Sequence, residues 1–177
     1  NLVTDLNNTF YHAASFNQDL SGWNTSNVTT MNGTFGANWS SSSAFNGNIS
    51  TWDTSKVTDM SGMFAYARSF NQNISGWNTG RVTTISSMFT GATSFNQNIS
   101  TWDTSKVTNM NNLFNRATSF NQNISAWNTG SVTTMNSMFY EATSFNQNIS
   151  AWNTANVTDM HWLFFGAGAF RQNLSTW

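Results

Sequence analysis

One period constrains this chain more than any other feature. The hexapeptide FNQNIS begins at Phe70, Phe95, Phe120 and Phe145, each start 25 residues after the last. Related copies begin at Phe16 (FNQDLS), at Phe45 (FNGNIS) and at Phe170, which is followed by RQNLS. Tryptophan keeps the same beat at Trp52, Trp77, Trp102, Trp127, Trp152 and Trp177. The step from Trp23 to Trp52 is 29 residues instead, which places an insertion within 36–43 (GANWSSSS). A fixed period of this size means a stack of like units. No unit buries its own apolar face, so stability comes from neighbour contacts.

The unit reads F-N-Q-N-I-S-x-W-N/D-T-x-x-V-T-x-M-x-x-M/L-F-x-x-A-x-S. Residues 1–177 are read as a single stack of about seven such units. VTDLNNTF (3–10) is the second half of a unit, and Trp177 stands midway through another. With neither an initiator Met nor a secretory apolar segment, the chain reads as a mature product or a portion of something longer. Its incomplete terminal units are places for end-to-end or edge contacts.

Composition excludes several classes. Charged residues make up 7% and the net charge is −1, too neutral for general attraction to nucleic acid or to an anionic membrane. No apolar run has the length of a membrane span. Cysteine is absent, so neither disulfides nor thiolate metal sites are available. Abundant Asn, Ser and Thr would fit a disordered polar tract, but 15 Phe and nine Trp at strict spacing bury enough apolar area to offset ordering entropy.

Within the unit, Val82, Ile85, Phe89 and Ala92 follow one face of a helix, as do Val57, Met60, Phe64 and Ala67. Asn78-Thr79 or Asp53-Thr54 is placed to cap it. The other half, NQNISGW, predicts a short strand with Asn73 and Ser75 outward and Ile74 inward. The inward set is Phe70, Ile74, Trp77, Val82, Ile85, Met88, Phe89 and Ala92. Strand plus helix in 25 residues predicts an α/β repeat solenoid, a right-handed stack with a parallel sheet of short strands and short helices behind it.

The string WDTSKVTDMSGMF from Trp52, followed by A-x-S-F-N-Q-N-I-S, resembles the repeats of BspA-like surface proteins, which occur in bacterial cell-surface proteins and mycoplasma lipoproteins. The resemblance covers nearly the whole chain. It implies a leucine-rich-repeat-like stack exposed on a cell surface or secreted, of a kind associated with adhesion, and it brings no catalytic residue with it.

The residues themselves offer few chemical sites. His12 and His161 lie roughly six units apart and stand in no nucleophile motif, so both read as surface substitutions. Asp53 and Asp103 occupy one repeat position two units apart, with Asn78 between. As an acid pair they would suit glycosidic chemistry, but capping is the better account. The column Asn24, Asp53, Asn78, Asp103, Asn128, Asn153 alternates charge with amide, which fits a structural ladder better than a calcium site. Lys56, Arg81 and Lys106 form the one charged column, either an anion contact or a solvated face. Sequons at Asn48, Asn73, Asn98, Asn123 and Asn148 would crowd glycans onto adjacent strands, so an Asn hydrogen-bond ladder is the expected role.

Variation among the units marks candidate binding positions. The FNQNIS half is nearly invariant, whereas Tyr66, Arg81, Tyr140 and Trp162 break the repeat rule, and the insertion adds Trp39. Aromatic and Arg side chains are the usual anchors of interfaces. The expected function is therefore a non-enzymatic cell-surface or extracellular interaction module. Its partner would be a protein or glycan on another cell or surface, without cofactor or metal. The alternative is an ice- or lattice-binding face built from regular columns (Thr58, Thr83, Thr108, Thr133, with Asn73, Ser75, Asn98, Ser100). A structural spacer is the third reading.

Overall fold

The computed structural model describes Leu2–Trp177. Each repeat forms one open coil, and successive coils lie against each other in register. Among the described residues there is no helix and no extended strand. Backbone pairing is instead a rank of single parallel bridges, Asp5 to Thr30 to Asp59 to Thr84 to Asn109 to Thr134 to Asp159, with one more between Ser43 and Ala67.

The expected α/β solenoid of the leucine-rich-repeat type, with a parallel sheet and helices, is thus corrected, and each half of the unit shows why. In the half read as helix, alternate amides take different partners. Met60, Gly62, Phe64 and Tyr66 donate to the next coil, at Thr84, Ser86, Met88 and Thr90. Between them, Met63, Ala65 and Ala67 donate three residues back and close tight turns. Half of the amides are therefore unavailable to a helix. The segment is also rich in Gly, Ser, Thr and Asn, which favour turns over helix interiors. Helices pack about 8–10 Å apart, whereas pair-bonded extended backbones lie about 4.8 Å apart. Helices here would pry apart coils that the rest of the unit holds close.

In the half read as strand, the partner of the backbone is a side chain. The Asn71 amide donates to Asn46 Oδ1 at 2.9 Å, Asn96 to Asn71 Oδ1 at 3.0 Å, and Asn121 to Asn96 Oδ1 at 3.0 Å. Gln72, Gln97 and Gln122 each place Nε2 on the same oxygen column. The coils are tied by an asparagine ladder, so no backbone ladder forms and no strand results. The ladder occupies the column of Asn71; Asn73 instead turns its Oδ1 back onto the Ser75 amide and hydroxyl of its own coil.

The periodic apolar residues share one interior despite the missing helix. All eight inward residues of the unit from Phe70 to Ala92 are buried, and a single apolar cluster runs from Leu6 to Leu163. Phe64 stacks on Phe70 at 3.7 Å within one coil and on Phe89 at 5.7 Å in the next. The tryptophans stack coil on coil, Trp102 to Trp127 at 6.4 Å and Trp127 to Trp152 at 6.4 Å. Each indole also donates to the previous coil, as Trp102 Nε1 does to the Ile74 carbonyl at 3.2 Å. Buried threonines point the other way: Thr79 Oγ1 donates to the Asp103 carbonyl at 3.0 Å. Among the described residues no buried side-chain nitrogen or oxygen lacks a partner. An unmet group there would cost about 1–3 kcal/mol.

Three outcomes check this architecture. Far-UV circular dichroism should lack the double minimum of an α-helix. Trp102→Ala should cost roughly 3–5 kcal/mol in denaturant unfolding, as expected for a buried aromatic. Asn96→Ala, which removes one ladder oxygen, should cost about 1 kcal/mol. A helical spectrum, or an Asn96→Ala loss as large as that of the tryptophan, would contradict the coil stack.

Candidate functional site

The half that carries the sequence variation folds as a ribbon of alternating turns, and its backbone explains where the variable side chains stand. Two positions per coil take positive φ. The first column holds Asn8, Gly33, Gly62, Ser87, Asn112, Ser137 and Trp162. Four residues further on, the second holds His12, Tyr66, Gly91, Arg116, Glu141 and Gly166, all with φ between 52° and 72°. A positive φ at the third residue of a tight turn marks type II geometry, for which Gly or Asn is the residue of choice. Glycine does occupy Gly62, Gly91 and Gly166. Tyr66, Arg116, Glu141 and Trp162 adopt the same conformation with full side chains, at a cost of roughly 1–2 kcal/mol each relative to glycine.

These side chains line a shallow trough along the stack. Tyr66, Asn112, Arg116, Ser137, Tyr140 and Trp162 border it. Beside Tyr66 and Arg116 the surface continues to Trp39 and Arg68. In the other direction it continues past Ser87 to Tyr11. The structure therefore brings four of the five irregular candidates together: Trp39, Tyr66, Tyr140 and Trp162. Arg81 stands apart, exposed in the Lys56–Arg81–Lys106 column beside the Asp53–Asn78–Asp103 turns.

Three of the rings are open to solvent. Trp39 is 75% exposed, and Trp162 and Phe165 are each 57% exposed. A β-carbon on Gly91 would lie 2.6 Å from Tyr66 Cδ1, so the phenol packs closely against a glycine in the next coil. Tyr140 stacks on Phe165 at 5.1 Å and tilts against Trp162 at 6.1 Å. Arg116 donates to Glu141 Oε2 at 2.8 Å and lies over the Tyr140 ring at 5.6 Å. That pair raises the guanidinium pKa and cancels the local charge.

Two further residues at this face, Arg116 and Phe165, stand outside the candidate set, although they vary among the units as Tyr66 does. A third feature could not be read from sequence at all. The insertion folds over His12: Ser41 Oγ lies 2.5 Å from Nδ1 and Asn38 Nδ2 lies 3.3 Å from Nε2. The Asn38 amide orientation is fixed, because its Oδ1 accepts the Ser40 and Ser41 amides. Nε2 is then the acceptor and Nδ1–H the donor, so the imidazole donates to Ser41 Oγ and does not act as its base. The arrangement ties down the insertion. Trp39, at its tip, is left in solvent.

The remaining candidate columns have structural partners. The Asn/Asp column forms local turns, with Asp53 Oδ1 accepting the Ser55 amide at 2.9 Å, and not helix caps, since no helix follows. The exposed threonines hydrogen-bond backward: Thr58 Oγ1 donates to the Thr29 carbonyl, Thr83 to that of Thr58, Thr108 to that of Thr83 and Thr133 to that of Thr108. Asn98 repeats the local turn of Asn73, accepting the Ser100 amide at 2.9 Å. Among the described residues no group of three or more His, Asp or Glu could hold a metal ion.

Compared with family models, the sequence matches one described as "Mycoplasma protein of unknown function, DUF285" over residues 1–92 and 71–177. The chain belongs to the DUF285 family. No curated protein and no solved structure matches it. The match fits a mycoplasma-type repeat family. It does not extend to BspA-like leucine-rich repeats, and the helix-free coils exclude that architecture for this DUF285 chain. No helix among the described residues is long and apolar enough to cross a membrane.

Asp53 and Asp103 offer a test of the turn column. Hydrogen bonds from the hydroxyl and amide of Ser55, and likewise of Ser105, hold their pKa values below the ordinary 3.8, with Lys56 and Lys106 adding less. A carboxylate whose folded pKa is depressed contributes stability above its unfolded pKa and loses it as pH falls through the folded value. The D53N/D103N variant copies the Asn of neighbouring coils. Its melting temperature should match wild type near neutral pH and fall less steeply below pH 3.8. An unchanged acid limb would show that these turns do not couple to folding.

Proposed function

We infer that this chain is a non-enzymatic interaction module of a cell surface or the extracellular space, and that the turn-ribbon trough is its binding face. One observation carries the reading. Tyr66, Arg116, Glu141 and Trp162 occupy left-handed positions that other coils fill with glycine or small residues, so the turn itself does not require their size. Backbone strain retained at a surface points to function. The same residues, with Trp39 and Tyr140, supply the aromatic and Arg groups that anchor interfaces. The family match and the low charge support a surface role, and the partner is a protein or glycan outside the cell.

A second reading rests on the threonine column, which is regular and exposed from Thr29 to Thr158. Ice or lattice binding would use it together with Asn73, Ser75, Asn98 and Ser100. The column is bordered by Lys56, Arg81 and Lys106, whose charges disturb ordered water, so it is the weaker of the two.

Labelling of intact cells with an antibody to the protein should mark the surface. Adhesion of the purified protein to cell monolayers should fall several-fold with Trp39→Ala plus Trp162→Gly and remain unchanged with Thr83→Val. Thermal hysteresis abolished by Thr83→Val would instead establish the lattice reading. Adhesion insensitive to the aromatic substitutions would remove the trough from consideration.

A further inference from the structure

We propose that the trough binds an uncharged glycan strand lying along the stack axis, packed against Trp162 and bordered by Tyr66 and Tyr140. The proposal rests on the trough being the binding face and adds the class of ligand.

Charge comes first. Between Tyr66 and Trp162 the one ionic group lining the trough is Arg116, which Glu141 neutralises through a 2.8 Å contact, and Arg68 lies on the adjoining surface beside Trp39. An acidic ligand would have to compete with Glu141 for the guanidinium, and a basic one with Arg116 for the carboxylate. The occupant that disturbs neither is neutral.

Ring presentation comes second. The phenol of Tyr66 packs against Gly91 and borders the trough half-exposed. Trp162 and Phe165 are more than half exposed. Aromatic rings offer an apolar face with polar groups at the edge, which suits the flat C–H faces of a pyranose. A protein hot spot is different. It is a contiguous apolar patch that closes against water. Here the rings are separated by Asn112, Asn115, Ser87 and Ser137.

The intervening polar groups come third. Asn115 Nδ2 donates to Asn112 Oδ1 at 3.0 Å, Thr90 Oγ1 to the Asn112 carbonyl at 2.7 Å, and Ser137 Oγ to Asn136 Oδ1 at 2.8 Å. Each donor is held in place within the protein. That leaves Oδ1 of the half-buried Asn115 as an acceptor at the trough, while the buried Thr90 and Ser137 hold its floor in place. Amide groups fixed beside an exposed indole suit the hydroxyls of a sugar.

Direction comes last. Tyr66 and Trp162 are four coils apart, roughly 19 Å at the spacing of paired backbones. The groups between them lie in columns parallel to the stack, so the trough addresses several sugars of one strand at once. Binding should therefore rise with chain length, since each further sugar finds its partner already in position.

The test exploits the left-handed backbone. Tyr66→Gly and Trp162→Gly place glycine at φ 55° and 56°, where it is the preferred residue. The double variant should melt at or above the wild-type temperature, so lost binding cannot be ascribed to unfolding. Affinity electrophoresis through neutral soluble polysaccharides, with a glycan array of neutral, acidic and sulfated chains, supplies the readout. Wild type should be retarded by at least one neutral polysaccharide. It should bind longer oligomers of that sugar more tightly than short ones and lose about tenfold or more in affinity in the Y66G/W162G variant. Retention of only acidic or sulfated chains, or of none, would overturn the glycan proposal. If in that case Y66G/W162G still abolishes adhesion to cells, the trough remains the binding face and its ligand is a protein. Neutral-glycan binding undiminished in the variant would overturn both readings.

Discussion

Hydrogen bonding between coils is the constraint on which the rest of this structure depends. Each coil leaves half of its turn-ribbon amides and all of its Asn71-type amides without partners of its own; the next coil supplies acceptors for the first and the preceding coil for the second. A buried backbone group without a partner is costly, so a coil can exist only in a stack. That requirement fixes the close spacing. Close spacing in turn makes identical side chains stack on themselves, phenylalanine on phenylalanine and tryptophan on tryptophan. The apolar core and the polar ladder are thus two consequences of one repeat distance.

The same spacing separates the roles of the two halves of the unit. On the ladder side every Asn and Gln has a fixed structural task, and a change of residue there would leave an amide of the next coil unpaired. Near-invariance within the chain follows. On the turn-ribbon side the backbone satisfies itself through turns and cross-coil bonds, so the coil spacing does not depend on which side chain stands at a left-handed position. Glycine is the least strained choice, and the departures from it are concentrated at one trough. Strain tolerated by a surplus of cross-coil bonds is how a repetitive scaffold can carry a non-repetitive surface.

The insertion shows how a break in the period is absorbed. The extra residues between Phe35 and Phe45 leave both rings in the stack, 3.7 Å apart, because the loop bulges outward. It is pinned by Asn38 and Ser41 on His12, and its indole is left in solvent beside Tyr66 and Arg116. The loop therefore extends the trough without disturbing the core beneath it.

Much of this was legible from the order of residues alone. The period, the insertion within 36–43, the inward set from Phe70 to Ala92 and the irregular aromatics are all visible because side-chain identity repeats wherever the environment repeats. The secondary structure was not legible. Val82, Ile85, Phe89 and Ala92 have a helical spacing, but a row of tight turns with inward residues at similar intervals produces the same pattern. Which of the two forms depends on where alternate amides find acceptors, and those lie about 25 residues away in the next coil. The ladder likewise shifted from Asn73 to Asn71, since only the path of the backbone decides which amide oxygen faces the neighbour. The gathering of Trp39, Tyr66, Tyr140 and Trp162 into one trough, with Arg81 left on another face, was also a decision of tertiary structure. Sequence records that a residue departs from its column, whereas the direction in which the column points is set by the sign of φ in the folded chain.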